Sequence, residues 1–470
     1  MTARYLLAAA ALALAGGAHA QSMGGMDMSR HAGHAPAPPP KPADAPAPAP
    51  APQAPPAADP QPMPGMQMPP PPAPTPSEHT GMAMGHAMTG ALGPYPMSRE
   101  ASGTAWQPDA SEHQGLHIMT GGWMLMAHAV LNGVWDKQTG PRGNEKAFVS
   151  GMLMGMARRD VGPGTVQFRA MLSPDPLMGA RGYPLLLASG ETANGVTPLV
   201  DRQHPHDFLM ELSASYSLRL SDTASAFVYA GLPGEPAFGP PAFMHRLSIL
   251  DSPEAPISHH WLDSTHITFG VVTGGLVLGN VKLEGSRFNA REPDQHRWNI
   301  ETGSLDSTAL RVSWNPAPTL SLQASWGHFV SPEQLAPDEN QERWSASAIY
   351  TRPLANGWWS TTLAWGRRTS EHRNLDAWVL ESALRQGPWT LFARAERTDN
   401  DELVPALGHH GPAYTVGKAS IGAVRDFRVA PHLALGLGGL ASLNFVPRTL
   451  EASYGGDAKG FMAFVRLKLD

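Results

Sequence analysis

Cysteine is absent from all 470 residues, which excludes a disulfide scaffold, a thiolate metal site and a cysteine nucleophile together. Charge is scarce as well: Asp, Glu, Lys and Arg make up 16% of the chain, and 40 acidic against 34 basic residues leave a net charge of −6. Nucleic-acid binders carry a clustered basic surplus, so that class is set aside. No apolar run reaches the roughly 20 residues of a helical membrane span; the best segments, 269–281 and 433–443, are short and broken by glycine. Nucleophile-elbow, phosphate-loop and dinucleotide motifs are also missing from any credible setting. Neither an enzyme nor an organic cofactor is expected.

What is present divides the chain into three parts. Residues 1–20 read as an export signal, with Arg4, a short apolar run from Tyr5 to Ala15, and the small-x-small site Ala18-His19-Ala20. Residues 21–110 form a tail. Between Pro36 and Pro76, 20 of 41 residues are proline, a density that fixes φ, deletes backbone donors and offers nothing to bury. An extended, disordered polyproline tether is therefore predicted.

The tail is punctuated by soft ligands. Met23, Met26 and Met28 stand with His31 and His34; Met63, Met66 and Met68 follow; His79, Met82, Met84, His86 and Met88 form a third group. Ten of the 22 methionines lie between residues 21 and 100, where no core needs them. A thioether is a neutral, polarisable ligand that selects Cu(I), and imidazole also accepts Cu(II). Binding of copper, as Cu(I), or of silver is the reading these clusters favour; low-complexity drift is the bland alternative.

From about residue 111 the texture becomes alternating. In Phe208-Met210-Leu212-Ala214-Tyr216-Leu218-Leu220 every second residue is apolar, while Glu211, Ser213, Ser215, Ser217 and Arg219 interleave. Similar rows recur at 320–326, 359–365, 389–395 and 461–469, with aromatics at their ends, as a lipid interface wants. Short turns, among them Ser221-Asp222, Gly274-Gly275 and Gly387-Pro388, alternate with longer loops such as 174–206 and 233–264. The predicted fold is all-β: residues 111–470 form a transmembrane antiparallel β-barrel of about 16 strands, between 14 and 18. Hydrocarbon leaves no other option for a chain without helical spans, because only helices and closed barrels satisfy every backbone group there.

Within that barrel, Met124, Met126 and His128 are predicted to face inward, opposite Trp123, Leu125, Ala127 and Ala129. Met152, Met154 and Met156 share one face of the next strand, which the pattern leaves unassigned between lumen and lipid. Such a stripe could pass a soft cation from one weak site to the next, or could simply pack. Two loops carry further candidate metal ligands. One is Asp201-Arg202-Gln203-His204-Pro205-His206-Asp207; the other brings His245, Asp251, His259, His260, Asp263 and His266. His409 and His410 make a later pair. Imidazoles with carboxylates nearby suit a metal and its supporting hydrogen bonds, and equally suit turn capping inside a folded loop.

The plan of signal, Met/His/Pro-rich tail with motifs such as Met23-Gly24-Gly25-Met26-Asp27-Met28, and barrel resembles that of the copper-resistance protein B family. The resemblance is one of organisation and extends to no barrel motif. It implies a bacterial outer-membrane protein for copper binding and resistance or export, with a periplasmic metal-collecting tail. Its surroundings would be outer-membrane lipid, and periplasmic copper-handling proteins its partners. The alternative is a general porin or small-solute channel with no specific metal role.

Overall fold

The computed structural model describes residues 88–112, 115–370, 373–404, 410–456 and 458–469. The chain enters with β1 (Leu116–Thr120), which turns at Gly121 and Gly122 into β2 (Trp123–Gln138), then β3 (Glu145–Val161) and β4 (Gly164–Leu172). A hairpin of β5 (Tyr183–Thr192) and β6 (Pro198–Gln203) forms its own small sheet. The large sheet resumes with β7 (Leu209–Arg219), β8 (Ala224–Gly231), β9 (Val271–Leu278), β10 (Val281–Phe288), β11 (Ser307–Ala317) and β12 (Leu320–Phe329). It continues through β13 (Gln341–Leu354), β14 (Gly357–Ser370), β15 (Arg373–Gln386) and β16 (Trp389–Asn400). β17 (Tyr414–Ala430), β18 (Leu433–Phe445) and β19 (Lys459–Leu469) complete it.

Apart from the hairpin, each strand from β2 onward pairs antiparallel with the next, and β19 returns to β2 from Gly460↔Gln138 to Leu469↔Ala129. The described residues thus form a closed 16-stranded β-barrel. β1 takes up the ladder where β19 stops, running from Leu116↔Ala127 to Thr120↔Trp123. Two- to four-residue turns gather on one rim, at 162–163, 220–223, 279–280, 318–319, 355–356, 387–388 and 431–432. Most of the opposite rim carries long loops.

The strand period decides what each wall is made of. In β19, Phe461, Val465 and Leu467 lie outside, 41–49% exposed, whereas Arg466 and Lys468, in the opposite phase, are buried at 1–2%. Leu276, Leu283, Leu310, Leu363, Leu380 and Leu391 continue the outer apolar band, a surface suited to hydrocarbon rather than water. Aromatics border it: Trp326 with Trp344 and Trp365 with Trp378 toward one side, Tyr350 with Trp359 near a short turn. A closed barrel with this band and these borders is an outer-membrane-type barrel.

Besides the β5–β6 hairpin, whose Tyr183 and Leu185 to Leu187 pack against the inner wall, two described segments fold into the lumen. Residues 88–112, which the sequence pattern had placed in the tail up to residue 110, fold inside at the short-turn rim. Arg99 pairs with Asp109 at 2.6 Å and donates to the Gly279 carbonyl; Ser217 and Ser225 hydroxyls donate to the carbonyls of Ala91 and Leu92. The second segment, residues 232–270, crosses to the far wall. There Arg246 joins Glu381 at 2.8 Å, the Ser258 hydroxyl donates to Glu396 at 2.8 Å, and Asp251 pairs with Arg466. Buried charges are tolerable only when paired in this way.

Two local expectations are corrected. Gly274-Gly275 is not a turn but lies inside β9, and the turn falls at Gly279 and Asn280. Gly275 faces Phe227 across the ladder, and a Cβ there would come within 2.3 Å of that ring, so the glycine makes room rather than a bend. Met210, placed by alternation on the lipid side, is fully buried on the luminal side. The register of β4 against β7 shifts between Met171 and Leu172, and this bulge turns Met210 inward beside Glu211.

Candidate functional site

The inner face of β2 to β7 carries a row of thioethers. Met124 and Met126 of β2, Met156 of β3 and Met97 of the N-terminal inward segment pack as one buried cluster, with Met88 and Met154 against it. Met152, Met171 and Met210 form a second cluster with Ile267 and Phe269, touched by Met154 and Met244. Met154 therefore joins the two. The ladder sets the spacing: Met126 is opposite Met156, His128 opposite Met154, and Met154 opposite Met171. Met124, Met126 and His128 point into the lumen as expected, and Met152, Met154 and Met156, left open by the sequence, do too.

Beyond the row, toward the long-loop rim, lies an imidazole cluster. His206 sits just before β7; His259 opens a single helical turn, His259–Leu262; His266 closes the next turn. One ring nitrogen from each lies within 4.8 Å of the others. Each ring is oriented through Nδ1: His206 by the Asp175 carboxylate at 2.9 Å, His259 by the Asp263 carboxylate at 2.8 Å, and His266 by the Asp263 carbonyl at 2.7 Å. Phe243 closes one side, its ring 5.6 Å from that of His259. Burial above all drives the His259 and His266 imidazoles to lower pKa, His266 strongly, which keeps them in the neutral form that binds a cation.

His204 and His260, also expected as ligands, belong to a neighbouring ion-pair network. His204 Nε2 lies 3.1 Å from Glu191, and His260 Nδ1 lies 3.0 Å from Glu292. Burial disfavours charge on His260, but the adjacent Glu292 carboxylate outweighs it and raises its pKa. Burial and then the Arg297 guanidinium depress that of His204. These two rings flank the cluster, with His204 5.5 Å from His260 and 6.0 Å from His259, centroid to centroid.

Of the tail ligands, Met88 lies among the described residues and belongs to the row. Met23, Met26, Met28, His31, His34, Met63, Met66, Met68, His79, Met82, Met84 and His86 lie outside them. His410 is held by Asp401 at 3.1 Å, away from the cluster, and His409 is outside the described residues. Sequence reasoning missed Met97, Met171, Met210 and Met244, and did not bring His266 together with His206. Met171 could have been found, since it stands two residues beyond inward Arg169 on β4.

No protein-family profile matches the chain, and no curated protein does. Solved structures similar to it include Salmonella typhi OmpF in complex with daunomycin, at 11% identity over 75% of this chain and 100% of that one, with a TM-score of 0.48. OmpT of Vibrio cholerae follows at 8% identity, with the same coverage and a TM-score of 0.42. The outer-membrane channel DcaP of Acinetobacter baumannii gives 11% identity, 75% and 100% coverage, and 0.42. These likenesses are loose, and the barrel stands on its own strand ladder.

Proposed function

We propose that the protein is an outer-membrane barrel that binds copper, as Cu(I), and passes it along a thioether-lined lumen, with silver as a second soft cation it accepts. The observation that carries the reading is the continuous methionine row from Met88 and Met97 through Met124, Met126, Met156 and Met154 to Met152, Met171 and Met210. Packing alone is a poor reason for it. Ordering a buried Met costs more side-chain entropy than ordering Leu or Ile, and either would fill such a wall with better-defined rotamers. Neutral sulfur in this buried row suits a monovalent soft ion. The tail clusters precede Met88 in the chain, so short turns facing the periplasm would hold these ligands at the entrance and raise the local ion concentration. This arrangement fits a role in copper resistance, with periplasmic copper-handling proteins as donors.

The full chain in liposomes tests this. Changing Met124, Met126, Met154 and Met156 together to Leu should abolish Cu(I) flux while leaving a heat-modifiable folded barrel on gels. Undiminished flux in that variant sinks the reading. A general small-solute channel is the second reading, favoured by the ion-paired luminal wall of Lys282, Glu284 and Arg311. It predicts salt conductance indifferent to copper and to the four substitutions.

A further inference from the structure

We propose that His206, His259 and His266 form a resident metal site of three imidazoles, separate from the thioether row, for a late first-row transition-metal cation. The chemistry that recognises the ion is nitrogen lone pairs, which Zn(II) and copper share.

Four observations converge on it. All three rings use Nδ1 for hydrogen bonds to Asp175 or Asp263, which fixes the tautomer and leaves each Nε2 lone pair for an ion. The Nε2 atoms of His206 and His266 are buried and have no hydrogen-bond partner, on residues 8% and 4% exposed. A buried polar atom left in that state is unfavourable unless something fills the gap. The three rings offer nitrogens within 4.8 Å of one another, against about 3.4 Å around an ion bound at roughly 2.0–2.1 Å, so small ring movements close the site. Asp175 and Asp263 place carboxylates directly behind the His206 and His259 rings, at 2.9 and 2.8 Å, the usual support for a metal-bound imidazole.

The site also joins two parts of the barrel. His206 and Asp175 belong to the loop between β4 and β7, while His259, Asp263 and His266 belong to the segment that crosses the lumen. Asp263 is the positioning residue: one side chain and its own carbonyl orient two of the three rings, and Arg246 holds the same carboxylate at 2.5 Å. An ion at this point fastens the crossing segment to the wall on the His side, as Arg246 and Glu381 fasten it on the other.

The test uses the full chain, refolded in detergent, stripped with chelator and titrated with Zn(II) and, anaerobically, with Cu(I). The wild-type protein should retain one Zn(II) ion through gel filtration, and X-ray absorption should show about three nitrogen scatterers near 2.0 Å. Asp263→Asn should weaken Zn(II) binding by about 10- to 100-fold, and His266→Ala should abolish it with the barrel still heat-modifiable. The four-methionine Leu variant should bind Zn(II) as the wild type does. A sulfur-dominated spectrum, or a Zn(II) affinity untouched by Asp263→Asn, overturns the proposal. Should copper flux fail while this binding holds, the passage reading falls alone; the absorption experiment needs no variant to fold.

Discussion

The thioether row and the imidazole cluster are neighbours in one lumen, yet they are built in opposite ways. The row stands on consecutive strands, and the hydrogen-bonded ladder alone spaces Met126 from Met156 and Met154 from Met171. The cluster stands on loops, and every ring in it is aimed by an oxygen. A sulfur ligand is neutral at any pH and needs no hydrogen bond, so strand period suffices to present it. An imidazole must have its tautomer and its orientation chosen, so it brings carboxylates and, at Asp263, an arginine to hold one of them. One region is cheap to place and soft in its preferences. The other is costly and directional.

The difference can be broken at its most heavily supported point. Among the described residues, removing Arg246 takes the only arginine from buried Asp263 and one of two from buried Glu381, which keeps Arg394; Arg246→Ala should destabilise the inward segment by about 3–5 kcal/mol, read as a lowered midpoint in detergent unfolding. Cu(I) binding by the row should survive below that midpoint. Next in size is Gly190→Ala. This glycine has φ of +105°, and a Cβ would lie 2.5 Å from His260 Nε2, so strain of about 1–3 kcal/mol is expected. Protease protection of the β5–β6 hairpin should fall, with the three-imidazole geometry retained.

Single Met→Leu changes in the row, at Met126 or Met156, should cost less than about 1.5 kcal/mol because volume is conserved. A larger loss of stability would mean that the thioethers serve packing that Leu cannot supply. The smallest expected effect concerns His410, whose pKa is raised above the usual imidazole value chiefly by its hydrogen bond to Asp401, against the opposing pull of burial. A raised folded-state pKa means the contribution is complete below the unfolded value of about 6.5 and fades as pH climbs through the folded one. Hydrogen exchange at residues 410–413 should therefore open more on the alkaline side, beyond the intrinsic rate increase, and His410→Gln should flatten that dependence.

How much of this was legible beforehand follows the same division. Alternation gave the strand set and the luminal facing of Met124, Met126 and His128, because lipid on one side leaves period two as the main constraint. It failed at Met210, where a one-residue bulge reverses the phase, and at Gly274-Gly275, where glycine answers a neighbouring ring rather than a turn. The inward folding of residues 88–112 was hidden by proline and small residues without period; Tyr95 and Trp106, packed edge to face at 5.0 Å, were the available hint of a core. The joining of His206 to His259 and His266 depends on a loop doubling back across the lumen. No spacing within either loop encodes it.

β1 continues the row that β19 leaves unfinished, and it does so only a few residues after the stretch occupying the turn-side mouth. A stopper fixed in this manner is leashed to the seam of the cylinder. Its leash is five paired residues long, and its seat places Met97 against Met124, Met126 and Met156.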